Sequence, residues 1–382
     1  MITEVEVQNY KSLETLHLPL AHINVLIGEN GSGKSNILEA IALGAASSNN
    51  KLDNEFLYSR GIRVTRNPIF MRTAFDPGNL TKEISLSFKA SDGAYHKSVL
   101  SNDNKPYSSW IESSSGGTTV EKLLGNIQQL IRSGKIPEDG KVDKVTWDLI
   151  QHATKDNPVR SYLNEFLIYS PENSFLRTSE REGQIQPLGI HGEGLFRYLK
   201  YLSLEENVPR LEDIKQRMRL LEWFRDFAVT EDFLESEGRL DIQDKYIPGD
   251  VGAFDQLSTN EGFLIILFYF CLLVGAETPQ FFAIDNIDTS LNPKLCTRLM
   301  KEIADLAKKY DKQVILTTHN PAILDGLNLD DDEQRLFVVR RNKLGQTTVK
   351  RVMKPKVEEG VEPVRLSEAF LRGYIGGLPR NF

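Results

Sequence analysis

A chain of 382 residues with 40% hydrophobic and 26% charged residues can bury a large core, which excludes a mostly disordered protein. Its net charge of -7 argues against broad, charge-driven coating of nucleic acid but leaves a local basic groove open. Cys271 and Cys296 sit in apolar, helix-like segments and the six histidines are scattered, so neither a disulfide framework nor a structural zinc site is expected.

The first residues read as a strand without the basic region and apolar core of a signal peptide, and a cytoplasmic location is expected. After Asn9-Tyr10-Lys11-Ser12-Leu13, the apolar run Ile23-Asn24-Val25-Leu26-Ile27 predicts a buried parallel strand. It leads into Gly28 to Ser35, and then Ile37, Leu38, Ala40, Ile41 and Leu43 recur at the spacing of a helix packed on a sheet. Residues 68–100 alternate in the manner of antiparallel strands, and 101–119, rich in Ser, Asn and Gly, predict a loop. Helical periodicity across 120–239 predicts an inserted helical lobe. The apolar stretch 263–274 is about a dozen residues, too short to span a bilayer, and predicts a buried helix. Apolar runs at 281–284, 314–316 and 336–339, with a long helix over 293–310, return the chain to α/β character, so one sheet is assembled from both chain ends.

Gly28-Glu29-Asn30-Gly31-Ser32-Gly33-Lys34-Ser35 fits the phosphate-loop pattern in the strand–loop–helix context that pattern requires. Glycines let backbone N–H groups converge on phosphate oxygens at a helix N-terminus, where the dipole also favours negative charge. Lys34 is expected to reach the β- and γ-phosphates of ATP, and Ser35 to offer its hydroxyl to Mg²⁺. Asp285 ends an apolar strand and is expected at the same sheet edge as a second Mg²⁺ ligand. Another buried strand ends at His319, placed to sense the γ-phosphate.

In order and wording these motifs resemble the ABC-type ATPases of the SMC, RecF and OLD (overcoming lysogenization defect) group. Asn9 to Ser12 resembles the group's opening element, Gly28 to Asn36 its phosphate loop, and Asp285 to Pro293 with Thr317 to Pro321 its Walker B, D-loop and switch-histidine regions. Pro187-Leu188-Gly189 with Gly192-Glu193-Gly194-Leu195 resembles a segment of the OLD-like branch. The resemblance implies one α/β ABC-ATPase head over 1–382: a mixed sheet flanked by helices, with an antiparallel β portion, the lobe at 120–239 and no separate nuclease domain. It adds Lys11, Ser12 and Asn36 to the nucleotide site, and implies a homodimer with ATP between one phosphate loop and the partner's signature segment. Leu257-Ser258-Thr259-Asn260-Glu261-Gly262 is the candidate segment, in a register set by Ser258 or by Asn260-Glu261-Gly262; the same residues would also make an ordinary helix cap.

Where the group carries a catalytic Glu after Asp285, this chain has Asn286. An amide orients water but is no base, so slow hydrolysis is expected. Asp288 either supplies a substitute carboxylate or belongs to the D-loop. A poorly hydrolysing head suits a switch that controls or recruits a separate nuclease or toxin, as OLD-like anti-phage ATPases do. The alternative is a RecF-like DNA-repair clamp. A self-contained nuclease is disfavoured, because only about sixty residues follow Pro321. Asp330, Asp331 and Asp332 read as a solvated turn, and the basic stretches 215–225 and 340–354 chiefly as solvated faces, so direct DNA binding is expected to be weak.

Overall fold

The computed structural model describes residues 1–105, 108–117, 157–178, 183–230, 239–249, 252–354 and 364–377. Strands β1 (Ile2–Tyr10) and β2 (Leu13–Pro19) form a hairpin, and β3 (Ile23–Ile27) runs into the glycine loop and helix α1 (Lys34–Ser48). A short helix α2 (Asn54–Ser59) precedes β4 (Ile84–Ala90), β5 (Tyr95–Ser101) and β6 (Ile111–Gly117), which complete an antiparallel sheet of order β2-β1-β4-β5-β6. In β4 every second residue is buried, the half-covered pattern an antiparallel sheet allows.

Helices α3 (Pro158–Asn164) and α4 (Asn173–Leu176) flank the two-residue strand β7 (Ile168–Tyr169); α5 (Leu195–Leu202) and α6 (Val208–Met218) precede the hairpin of β8 (Phe224–Thr230) and β9 (Arg239–Asp244). Helix α7 (Glu261–Val274), β10 (Phe281–Ile284), α8 (Pro293–Lys309), β11 (Gln313–Thr318), β12 (Gln334–Arg341), β13 (Thr347–Val352) and α9 (Leu366–Leu371) follow. The central sheet has the order β13-β12-β3-β11-β10-β7. Its strands are parallel except β13, which pairs antiparallel at one edge.

This sheet is covered on both faces, and the alternation of its side chains divides the core. Leu26, Phe281, Ala283, Ile315 and Phe337 pack with α1 and the antiparallel sheet. Val25, Phe282, Ile284, Val314 and Leu336 face α7 and α8. Residues 263–274 are fully buried, as a helix that is apolar all round must be, and each large side chain there contributes roughly 1.5–3 kcal/mol of burial. Among the described residues no helix is long and apolar enough to cross a membrane.

Two expectations need correction. Residues 111–117, read as loop, form β6 in full register with β5, because edge-strand pairing supplies backbone hydrogen bonds that a serine run does not advertise. Of the stretch 120–239, residues 120–156, 179–182 and 231–238 lie outside the described residues. The remainder carries strands as well as helices: β7 adds the last strand of the central sheet beside β10. Its α5 and α6 pack into the same core as α7.

Candidate nucleotide site

The carboxyl ends of β3, β10 and β11 meet at one sheet edge, which gathers residues far apart in sequence. Gly33, at φ 108°, caps α1 in the left-handed region that glycine adopts without strain. Lys34, buried at the helix start, donates to the carbonyls of Gly28 at 2.9 Å and Glu29 at 3.1 Å. Burial pulls its pKa down to about 8, although Asp285, Asp288 and Glu29 act in the opposite direction.

Ser35 Oγ donates to Asp285 Oδ2 at 3.1 Å, and the Thr317 hydroxyl donates to the other carboxylate oxygen. Thr317 Oγ1 also accepts the Asn286 N–H at 2.8 Å. Asn286 has φ 56°, a conformation that asparagine tolerates better than most residues. Asp288 accepts from Thr318 Oγ1 at 2.6 Å, which ties the D-loop to β11. His319 Nδ1 lies 3.5 Å from Lys34 Nζ. Burial, then the Lys34 charge, holds the imidazole below its usual pKa, so the ring is neutral at pH 7 and Nδ1 accepts.

The opening element arrives through the β1–β2 turn. Ser12 is buried and accepts from Asn36 Nδ2 at 2.7 Å. The Lys11 ammonium lies 2.5 Å from the buried carboxylate of Glu39 on α1, which also receives Arg63 Nε at 2.5 Å. Arg63 donates further to Asn36 Oδ1 at 3.0 Å. A cavity of about 130 Å³ lined by Ser35, Glu39, Arg63 and Asp285 lies beside this cluster.

The residues present fit a nucleotide and a hard cation. Ser32 Oγ is buried in the loop without a hydrogen-bond partner, and a Cβ at Gly28 would fall 2.1 Å from the Val339 carbonyl, so only glycine permits this approach of loop to β12. Ser35 and Asp285 offer the oxygen ligands Mg²⁺ favours, with few supplied by protein when phosphates provide others. Among the described residues no group of three or more His, Cys, Asp or Glu is arranged to hold a metal by itself, and Asp330 and Asp332 instead pair with Lys354 and Arg351.

The segment 257–262 belongs to the N-terminus of α7, where Asn260 Oδ1 accepts the Phe263 N–H at 2.9 Å and Gly262 lies against the Ser290 carbonyl. Glu261 stands in the first turn, and Leu257 and Ser258 are exposed. Arg177 holds this segment from behind, donating to the carbonyls of Gln256, Leu257 and Thr259 at 2.7–2.8 Å. Sequence reasoning missed Arg177, Glu39 and Arg63; Glu39, an acid within the apolar face of α1, was the one local signal.

Residues 1–343 match the family described as RecF/RecN/SMC N-terminal domain. The chain belongs to that family. Among its members, the DNA replication and repair protein RecF of Bacillus mycoides (strain KBAB4) is 40% identical over 55 residues, 14% of this chain and 15% of the relative. RecF of Rickettsia canadensis (strain McKiel) is 25% identical over 173 residues, 41% and 42% of the two chains, so less than half of each relative is matched. In structure the chain resembles the Smc head bound to the C-winged helix domain of ScpA, with TM-score 0.54, 13% identity and coverage of 92% and 97%. It also resembles an Smc head with an extended coiled coil bound to the C-terminal domain of ScpA derived from Pyrococcus furiosus, with TM-score 0.50, 13% identity and coverage of 92% and 96%. At such identity the likeness shows the fold, an ABC-ATPase head.

Proposed function

We propose that this family member binds ATP with Mg²⁺, hydrolyses it slowly and acts in the cytoplasm as a homodimeric switch. The switch controls or recruits a separate effector, a nuclease or toxin, in anti-phage defence. The observation that carries the reading is the convergence of Lys34, Ser35, Asp285 and His319 on one sheet edge, with an amide at Asn286. Ser35 and Asp285 would hold the cation, which would supply positive charge to offset that of the triphosphate.

In this reading Lys34 leaves the Gly28 and Glu29 carbonyls for phosphate oxygens, and Ser35 and Asp285 hold the cation. Asn286 orients the attacking water without taking its proton, which makes hydrolysis slow. His319, neutral, accepts or donates at the γ-phosphate without adding charge. The exposed Ser258 and the α7 N-terminus with Asn260, Glu261 and Gly262 are the surface offered to the partner's nucleotide. The OLD-like branch is supported by the segment 187–195, which closes over the end of β7: Ser170 N–H donates to the Ile190 carbonyl at 2.8 Å and Glu172 N–H to that of His191 at 2.8 Å.

Calorimetric titration with Mg-ATP tests the site. Lys34→Ala is expected to weaken binding at least about a hundredfold, the scale of a lost charge-assisted contact, while the circular dichroism of the fold is retained. Wild-type affinity in the variant would sink the assignment.

A second reading, a clamp that holds DNA directly, draws on the RecF relatives. Against it, several cations of the basic stretches are already paired: Lys215 with Glu212 and Asp226, Arg217 with Glu302 and Asp305, Arg351 with Asp332 and Lys354 with Asp330. Weak DNA binding that vanishes with added salt is expected; tight, salt-resistant binding by the protein alone would favour the clamp.

A further inference from the structure

We propose that Thr347 is a positioning residue of the phosphate loop, holding the Ser32 carbonyl outward so that the Gly33 N–H faces the nucleotide phosphates. Thr347 opens β13, lies 315 residues from Ser32 in sequence, and is 3% exposed. Its Oγ1 donates to the Ser32 carbonyl at 2.8 Å and lies 2.7 Å from Ser12 Oγ. Ser12 Oγ in turn accepts from Asn36 Nδ2, and its carbonyl accepts the Thr347 N–H at 2.8 Å. Each hydroxyl has one proton to give, so the order of donation is fixed: Asn36 to Ser12, Ser12 to Thr347, Thr347 to the Ser32 carbonyl. Donors and acceptors aligned in one direction polarise one another.

The peptide between Ser32 and Gly33 is planar and trans, so its carbonyl and N–H point to opposite sides. Fixing the carbonyl against β13 therefore fixes the direction of the N–H. Two observations show how closely the hairpin of β12 and β13 holds the loop. A Cβ at Gly33 would fall 2.0 Å from Thr347 Oγ1, and Arg341, at the other side of the hairpin turn, donates Nε to the preceding Gly31 carbonyl at 2.7 Å. Consecutive carbonyls of the loop are thus pinned by one hairpin, and the loop is organised before a ligand arrives.

The inference rests on the nucleotide reading above, and the experiment separates the two. Affinities of the full chain for Mg-ATP and Mg-ADP are measured for wild type, Thr347→Val, Thr347→Ser and Thr348→Val. The last removes a hydroxyl that bonds within the hairpin, to the Arg340 carbonyl, and does not face the loop. Thr347→Val is expected to weaken both nucleotides about tenfold, the scale of a buried hydrogen bond left unmade. Thr347→Ser is expected to restore them, and Thr348→Val to leave them unchanged. If wild type binds no nucleotide, the nucleotide reading falls and takes the inference with it. If wild type binds and Thr347→Val matches it, the inference alone is overturned. It is likewise overturned if Thr347→Ser fails to rescue, or if Thr348→Val is equally impaired, since shape or hairpin stability would then be responsible.

Discussion

Asn286→Glu puts a carboxylate beside Asp285, and the structure sets both what it gains and what it costs. The backbone at this position is held independently of the side chain: the Asn286 N–H donates to Thr317 Oγ1 at 2.8 Å and its carbonyl accepts from Thr289 Oγ1 at 2.8 Å. A new side chain therefore starts from the same place. At φ 56°, however, glutamate gives up the tolerance of asparagine and costs roughly 1–2 kcal/mol of stability, a few degrees in thermal midpoint. A positioned general base supplies about 10²–10⁴-fold, and the low end, about a hundredfold in ATP turnover, is expected. ATP-stabilised dimers should shorten in lifetime to match. Phosphate release at saturating Mg-ATP and light scattering after ATP dilution measure the two quantities together, with Asn286→Asp as a variant whose backbone is not strained. Unchanged turnover in Asn286→Glu, with turnover abolished in Asp288→Ala, would make Asp288 the working carboxylate and refute the reasoning. Rapid turnover by wild type would refute it as directly, because Asn286 would then be no handicap.

The remaining predictions concern charge and the partner-facing surface. With burial holding Lys34 at about 8, Mg-ATP affinity should fall as pH rises past that value, approaching tenfold per unit; a flat profile from pH 7 to 9.5 would contradict this. Folding stability has the opposite sign: between about 8 and the unfolded value of 10.5 the unfolded chain binds more protons, so the Lys34 contribution to unfolding free energy rises with pH. Arg177→Ala frees the carbonyls of Gln256, Leu257 and Thr259 and should raise the dissociation constant of the ATP-bound dimer at least about tenfold, with monomer affinity for nucleotide unchanged. Asn260→Ala should lower stability by about 1 kcal/mol through loss of the α7 cap. Ser258→Ala, at an exposed position, should leave stability intact and weaken the dimer; an intact dimer in Ser258→Ala with a weakened one in Asn260→Ala would set the register at Asn260.

What could be read from the sequence follows from how local each signal is. The succession of β3, glycines and α1 was legible because the three are contiguous, and β10, which ends before Asp285, because its apolar run stops at a carboxylate. The antiparallel strands β4 and β5 showed their alternation, whereas β6 did not, since its serines carry no period and its order comes from pairing with β5. β7 is two residues long, below the length at which any period exists, and is defined by its hydrogen bonds to β10. The missed site residues share a physical cause. Thr347 meets Ser32 across 315 residues, Glu39 meets Lys11 across 28, and Arg177 meets Gln256 across 79, each through one or two hydrogen bonds that leave no mark on local composition.

The same contrast explains why the phosphate loop depends on the far end of the chain. A parallel strand order that places β12 next to β3 puts the hairpin of β12 and β13 against the glycines, although nothing between residues 28 and 35 requires it. The glycines permit several backbone directions; Thr347 and Arg341 select one by holding the carbonyls of Ser32 and Gly31. The motif therefore specifies the chemistry, and the sheet topology specifies the geometry in which that chemistry is presented. A chain shortened before β13 would keep every residue of the phosphate-loop motif and lose the hydroxyl that orients the Gly33 N–H.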